Sequence, residues 1–170
     1  MISTEYARTM ARYNVWMNGK LYELCAHLSD SQRKEDLGAF FKSIHGTLNH
    51  LLLADRIWMG RFENTPPFAV TSLAQELHSD FSRLRNERVA MDARITQWAA
   101  SLTMDALKAE LRYTSMVNPG PRRMPMWLAV AHFFNHQTHH RGQLTALLSR
   151  RGIDPGVTDL MAVPSEGAEA

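Results

Sequence analysis

The sequence predicts an all-α protein, a four-helix bundle with a small strand-like insertion before the last helix. Apolar residues recur in steps of three and four along long segments, as one face of a helix requires. Turn-forming residues separate these segments, and the helical period vanishes in one stretch, residues 111–126. With 170 residues, of which 45% are hydrophobic, the chain suits a single domain over residues 1–170 with an ordinary buried core.

The charge and hydropathy of the chain exclude several classes of protein. The net charge is only +2, and the basic residues form no run longer than a pair, such as Arg122-Arg123 and Arg150-Arg151, which argues against a nucleic-acid partner. No apolar run approaches the roughly 18 residues of a membrane span, and residues 1–20 lack a signal-peptide pattern. We therefore expect a cytoplasmic protein that binds neither nucleic acid nor membrane.

The first predicted helix covers residues 6–28. Its apolar stripe alternates steps of three and four: Met10, Tyr13, Met17, Leu21, Leu24 and Leu28. Cys25 lies beside this stripe, so we expect a small buried side chain rather than a reactive thiol. A single cysteine also excludes an internal disulfide. The polar residues 29–36 end the helix.

The next two helices are separated by a proline-containing stop. The second apolar segment runs from about Phe40 to Phe62, and Asn64-Thr-Pro-Pro67 ends it. The third helix is expected to begin at Ser72-Leu-Ala-Gln75, which has the form of a capping box. Its apolar face reads Leu77, Phe81, Leu84, Met91, Ile95, Trp98 and Leu102. Two of the three connections in the bundle are short enough to join antiparallel neighbours.

The insertion and the last helix follow. Residues 111–117 have the character of a short strand, and Asn118-Pro-Gly-Pro121 is typical of a turn, so a small hairpin is expected there. The fourth helix is predicted to start near Pro125 and to continue to about Arg150, with Gly152 as its terminator.

The fourth predicted helix holds four of the eight histidines within nine residues: His132, His136, His139 and His140. Two imidazoles four residues apart on a helix can hold one metal ion, whereas His132 and His140 lie ~12 Å apart. On a helical wheel His140 and His136 lie closest to the core direction. The spacing therefore favours His136 and His140 as an inward pair and gives His132 and His139 no metal role.

A third ligand must come from another helix, and the second predicted helix offers three candidates. Asp55 lies close to the main apolar stripe, His50 lies on a second apolar flank, and His45 lies on the polar stripe. This periodicity makes His45 the least favoured third ligand and does not decide between His50 and Asp55. The second apolar flank also suggests contact with a partner subunit.

The chemistry of the candidate ligands limits the kind of site. Imidazoles without thiolates suit Zn, Ni, Fe or Cu. Gln137 and Thr138 follow His136, so the H-E-x-x-H pattern of zincins is missing, and no paired E-x-x-H indicates a di-iron bundle. The alternative without metal is a pair of core histidines, at a cost of about 1–3 kcal/mol for each that finds no partner. A mononuclear site is therefore favoured.

Three motifs together resemble the DinB (DNA-damage-inducible) family. They are Tyr13-Asn-Val-Trp-Met-Asn18, Ser43-Ile-His-Gly-Thr-Leu-Asn-His50 with Ala54-Asp-Arg-Ile-Trp58, and His132-x-x-Asn-His-x-x-His-His-Arg-Gly-Gln143, and residues 152–159 also resemble the family's C-terminal segment. The resemblance implies an up-down-down-up bundle, often dimeric, that binds one divalent metal through three histidines. In this sequence they are His50, His136 and His140.

The resemblance also implies an activity on a small-molecule substrate. Members of the family with an established activity are similar to thiol-dependent S-transferases or isomerases. For this chain the resemblance therefore implies a Zn, Ni or Fe ion and a low-molecular-weight thiol cosubstrate. A metal-dependent hydrolase, with Asp55 as a candidate base, and a non-catalytic metal-binding stress-response bundle remain alternatives. The family name does not imply contact with DNA. No catalytic residue is assigned.

Other polar and aromatic residues have simpler interpretations. Asp55, Arg56 and Arg141 are interpreted as architectural, with a buried or intersubunit ion pair between Asp55 and Arg141. The methionines and the aromatic residues could line an apolar pocket, but at helical spacing core packing is the favoured interpretation for Trp58, Trp98, Trp127 and Phe133.

Overall fold

The computed structural model describes residues 1–66, 69–115 and 120–164. Its four long helices are α1 (Thr4–Ala26), α3 (Ile44–Phe62), α4 (Phe81–Ser101) and α6 (Met126–Arg150). Two short helices, α2 (Asp30–Lys34) and α5 (Met104–Lys108), lie in the connections, and a 3-10 turn covers Leu160–Ala162. The predicted all-α bundle is confirmed.

The predicted insertion is an antiparallel hairpin between α5 and α6. Strand β1 (Glu110–Ser115) pairs with β2 (Gly120–Pro125), with Tyr113 opposite Arg122. The part of the predicted strand and turn at 116–119 lies outside the described residues. Helix α6 begins directly after Pro125 and ends near Gly152, whose φ of +74° suits a glycine terminator.

The long helices run up, down, down and up in chain order. Helix α3 is antiparallel to α6, because His50 lies beside His140 and Phe62 beside Phe133. Helix α3 is parallel to α4, because Arg56 pairs with Glu87 and, further along both segments, Glu63 pairs with Arg94. Helix α1 is antiparallel to α4, because Asn18 contacts Asp92 whereas the later Glu23 contacts the earlier Arg85. This arrangement confirms the topology that the family resemblance implies.

The connections do not join antiparallel neighbours as their lengths suggest. Helix α1 packs against α4 and α6, and α3 packs against the same two helices, so α1 and α3 occupy opposite corners. The neighbours α3 and α4 run parallel, because residues 69–80 pass His50 and Asn49, near the start of α3, before α4 begins. Loop length alone therefore does not determine which helices are neighbours in this bundle.

The core fills the space between the four long helices. It contains the predicted stripe of α1, with Met17 and Leu21 each 1% exposed, and the predicted α4 residues Leu84 and Ile95. Cys25 is buried as expected, and burial raises the pKa of its thiol to about 12. Within the described part of the chain, no helix is long and apolar enough to cross a lipid bilayer.

Helix α3 begins at Ile44, later than the predicted start at Phe40. Ala39 and Lys42 form a tight bridge, and Lys42 has a φ of +64°, which ends any helical path there. Ser43 caps the helix by accepting a hydrogen bond from the Gly46 amide. The turn before the helix leaves Phe40 exposed.

The predicted start of the third helix at Ser72-Leu-Ala-Gln75 is wrong. Helix α4 begins at Phe81, where Asp80 accepts a 2.7 Å hydrogen bond from the Arg83 amide. Residues 69–80 instead cross α3, where the side-chain oxygen Oδ1 of Asn49 accepts hydrogen bonds from the backbone amides of Leu77 and His78. These tertiary bonds replace the helical ones that the local pattern predicts. A true capping box occurs at Ser29–Gln32, at the start of α2.

Candidate metal centre

Three histidines from two antiparallel helices converge near the middle of the bundle. His50 comes from α3, and His136 and His140 come from successive turns of α6. Their Nε2 atoms lie 3.3 Å apart for His50 and His136, 3.2 Å for His50 and His140, and 3.1 Å for His136 and His140. The structure thus brings together the three histidines to which the family resemblance points.

Hydrogen bonds on the far side of two rings fix their protonation. His50 donates from Nδ1 to the carbonyl oxygen of Leu73 at 2.8 Å, and His140 donates from Nδ1 to Oε1 of Gln143 at 2.7 Å. A neutral imidazole carries only one N–H, so the Nε2 atoms of both rings bear lone pairs. The backbone of Leu73, in the segment between α3 and α4, therefore orients the His50 ring.

Burial keeps these imidazoles neutral. It lowers the pKa of His50, and it lowers the pKa of His136 to about 3 and that of His140 to about 4, with the neighbouring histidines adding to the effect. At neutral pH the lone pairs of His50 and His140 therefore face one another across 3.2 Å without a proton between them. This unfavourable contact is relieved by a cation.

The donor set fits a divalent transition metal. Three nitrogens bound to one tetrahedral ion at ~2.0–2.1 Å would lie roughly 3.3 Å apart, close to the separations found here. The N–H partners of His50 and His140 are the outer contacts that metal-binding histidines require. A cavity of about 260 Å³ is lined by His50 and His136, so the cluster is accessible from the side of these two histidines.

The turn before α3 forms the floor of the centre. The Phe41 ring stacks on His50 with centroids 3.8 Å apart and meets His140 edge-on at 5.5 Å. The turn can approach α3 this closely because residue 46 is glycine; a Cβ there would clash with the Phe41 carbonyl oxygen. Phe41 was not predicted from the sequence to lie at the site, although its position shortly before the Ser43 cap places it beside the first turns of α3.

The other candidate residues lie apart from the three Nε2 atoms. His139 is exposed, as predicted, and His132 is exposed on the wall of the cavity with its ring 5.1 Å from Trp58. The expected polar location of His45 is wrong, because its side chain is buried and its Nε2 lies 2.9 Å from the His78 carbonyl oxygen. Asp55 points into the bundle and is not part of the cluster.

Buried polar side chains from all four long helices form one connected network: Asn14 and Asn18 on α1, Asp55 on α3, Arg88 and Asp92 on α4, and Gln137 and Arg141 on α6. Asp55 accepts hydrogen bonds from Arg88 at 2.5 Å and from Gln137 at 2.8 Å. Arg88 also pairs with Asp92 at 2.9 Å. Two cations and two carboxylates balance one another in this network.

The network corrects the expected ion pair between Asp55 and Arg141. Arg141 donates to the Asn14 side-chain oxygen, and Asn14 donates to Gln137, which in turn donates to Asp55. Arg141 therefore reaches Asp55 through two amides, while Arg88 is the direct partner of the carboxylate. The sequence offered no signal that Arg88, on a different helix, takes this place. The architectural interpretation of Asp55 agrees with these contacts.

The aromatic residues divide between core and cavity. Trp58 lines the cavity together with Tyr113 of β1. Phe133 is buried, and the ring of Trp98 stacks on Phe62 with centroids 4.6 Å apart. The set therefore packs in or against the core, as favoured from the sequence, and Trp58, which is only 8% exposed, also lines the cavity.

The lowered histidine pKa values predict a pH-dependent stability for the metal-free protein. An unfolded histidine binds a proton below about pH 6.5, but His136 and His140 do so in the folded protein only near 3 and 4. The free energy of unfolding should therefore fall as the pH drops from about 6.5 towards 4, with no contribution from these groups above that range. Urea unfolding at several pH values in the presence of a chelator measures this pH dependence.

His140→Ala should reduce this pH dependence, whereas His27→Ala, which removes an exposed histidine at the end of α1, should retain it. Equal pH dependence in His140→Ala and the wild type would show that His140 is not held neutral by burial.

The fold and the cluster together define a class of protein, a helical bundle with a three-histidine centre between two antiparallel helices. The chain belongs to the DinB family, which it matches over residues 1–167. It is 24% identical over 159 residues to Protein DinB of Bacillus subtilis (strain 168), covering 92% of each protein.

A solved structure has the same fold. YfiT from Bacillus subtilis is similar with a TM-score of 0.67 and 16% sequence identity, over 91% of this chain and 92% of that chain. It is described as a probable metal-dependent hydrolase with an unusual four-helix bundle topology. This likeness confirms the bundle fold of the present chain.

Proposed function

We propose that the protein is a metal-dependent enzyme that acts on a small molecule, with one divalent transition-metal ion held by His50, His136 and His140. The observation that carries the proposal is the set of three Nε2 atoms within 3.3 Å of one another, two of them fixed as lone-pair donors by their Nδ1 hydrogen bonds. Zn, Ni and Fe suit such imidazole ligands. The adjacent cavity supports access of a substrate.

The cavity wall favours a reaction in which the nucleophile needs no carboxylate base. Among the described residues, none that lines the cavity is an aspartate or glutamate, and Asp55 is bound to Arg88 and Gln137. A divalent cation bound by the three histidines would lower the pKa of a coordinated thiol. Ala54, Trp58 and Leu73 supply apolar wall that excludes water. These features support a thiol-dependent S-transferase or isomerase that uses a low-molecular-weight thiol.

A metal-dependent hydrolase is the second candidate, and His132 is the observation that favours it. This residue lines the cavity one turn before His136, and burial of part of its ring lowers its pKa, so the imidazole can accept a proton at neutral pH. The description of YfiT supports the same class. His132 replaces Asp55 as the candidate base of this reaction.

Incubation of the metal-loaded protein with several thiols and a reactive electrophile, and separately with activated esters and amides, tests the two candidates. We expect metal-dependent thiol consumption that is lost in His136→Ala and retained in His132→Ala. Ester or amide cleavage that is lost in His132→Ala while the metal stays bound would favour the hydrolase instead. If neither reaction occurs with bound metal, the non-catalytic metal-binding alternative holds.

Homodimerisation stays a prediction. The second apolar flank of α3, which suggested a partner subunit, is covered within the chain itself, with Leu53 0% and Ala54 6% exposed. That flank alone does not require a second copy, so the support for a dimer comes from the family resemblance.

A further inference from the structure

Arg61, near the end of α3, is held in place by two aromatic rings. Its guanidinium carbon lies 4.5 Å from the centre of the Trp58 ring and 4.3 Å from that of the Tyr113 ring. Such cation–π contacts use the charge of the guanidinium but none of its five N–H donors. The side chain is half-buried, so its position is fixed more firmly than that of a surface arginine.

The charge of Arg61 has no carboxylate partner in residues 1–66, 69–115 and 120–164. The arginines around it differ: Arg56 pairs with Glu87 at 2.5 Å, and Arg112 pairs with Glu110 at 2.7 Å. Burial lowers the pKa of Arg61, which reflects a cation removed from water without a compensating anion. A half-buried guanidinium with free donors is suited to an oxyanion ligand.

Arg61 also stands where two cavities meet. The smaller one, of about 260 Å³, is lined by His50 and His136 as well as Arg61. A larger groove of about 530 Å³ runs along the hairpin and the end of α3. Ile57, Arg61 and Tyr113 line both. One small molecule in the smaller cavity can therefore contact the histidines at one end and Arg61 at the other.

We propose that Arg61 binds a carboxylate of the substrate, so that the enzyme acts on an anionic small molecule whose reactive group lies at the three histidines. A carboxylate matches the planar guanidinium through two parallel N–H···O hydrogen bonds. No acidic side chain among the described residues lines either cavity, so nothing there competes with the ligand. The position of the reactive group rests on the proposed function, whereas the carboxylate site does not.

The carboxylate site is tested on the metal-free protein with a matched pair of probes, phenylacetate and phenylacetamide. Binding is followed by the indole N–H signal of Trp58 in NMR spectra. We expect the acid to bind at least about tenfold more tightly than the amide, as for a charge-assisted hydrogen bond. The preference should vanish in Arg61→Met and be retained in part in Arg61→Lys.

Arg85→Met is the matched control, because Arg85 lies on α4 in an exposed ion pair with Glu23 and should not affect the preference. Equal binding of acid and amide to the wild type would overturn the proposal. So would a preference that persists in Arg61→Met.

A second titration tests whether one molecule reaches both ends. Protein loaded with Co²⁺ is titrated with mercaptopropionate and mercaptopropionamide, and binding is read from the sulfur-to-cobalt absorption band. We expect the acid to bind at least about tenfold more tightly, with the same dependence on Arg61. Equal binding would show that the carboxylate site and the histidines do not serve one molecule. Failure of Co²⁺ itself to bind would contradict the proposed function and leave the metal-free titration to decide on Arg61.

Discussion

Alanine at any one of His50, His136 and His140 should abolish stoichiometric metal binding. The wild type is expected to carry close to one divalent ion per chain, and each variant should bind it at least about 100-fold more weakly, because loss of a ligand exceeds the effect of losing an outer hydrogen bond. Elemental analysis of protein purified without an affinity tag measures this directly. Gln143→Ala removes the hydrogen bond that orients the His140 ring but keeps all three ligands, so it should lower the metal affinity by about 10–100-fold.

His27→Ala is the matched control, since this histidine is exposed at the end of α1 and is not part of the cluster. Addition of metal should raise the unfolding temperature of the wild type and of this control, but not of the three ligand variants. A wild type that takes up none of Zn, Ni, Fe or Mn would remove the basis of the proposed function. The cluster would then be a buried polar network.

The second large effect is expected for Arg88→Met. This substitution leaves Asp55 and Asp92 buried with no adjacent guanidinium, and loss of one partner from a buried ion pair costs about 3–5 kcal/mol. Arg94→Met is the matched control on the same helix, because its pair with Glu63 is partly exposed to solvent and should contribute about 0–1 kcal/mol. Urea unfolding of both variants gives the comparison.

The loss of stability caused by Arg88→Met should also depend on pH. In the wild type, burial raises the pKa of Asp92 to about 6 although Arg88 opposes the shift. Without Arg88 that pKa rises further, so the folded protein binds more protons than the unfolded chain over a wider range. The destabilisation should therefore be smaller at about pH 5 than at about pH 7. If Arg88→Met and Arg94→Met lower the free energy of unfolding by equal, small amounts, the network contributes little to stability.

The sequence predicted the long helices well, because their apolar stripes face one core. The errors lie where tertiary contacts compete with a local pattern. Ser72 and Gln75 have the spacing of a capping box, but Asn49 binds the Leu77 and His78 amides and holds residues 69–80 in an irregular, non-helical path across α3. A single sequence carries no signal for that long-range contact.

The site was predictable to the extent that it depends on spacing within one helix. The helical wheel placed His136 and His140 inward, but it could not choose between His50 and Asp55, because both lie on apolar faces of α3. The wheel also placed His45 on a polar face, whereas this residue and Asn49, one turn further along, are each 1% exposed and bonded to His78. Whether a polar side chain is buried depends on the partner that reaches it, which periodicity does not reveal.

The separation of the histidines along the chain bears on how the protein unfolds. His50 and His136 are 86 positions apart, so an ion between them closes a long loop. Closure of such a loop is entropically costly and belongs to the late part of folding. Contacts formed after the transition state slow unfolding and leave the refolding rate almost unchanged. Metal supply would then set how long the folded chain resists proteolysis rather than how fast it folds.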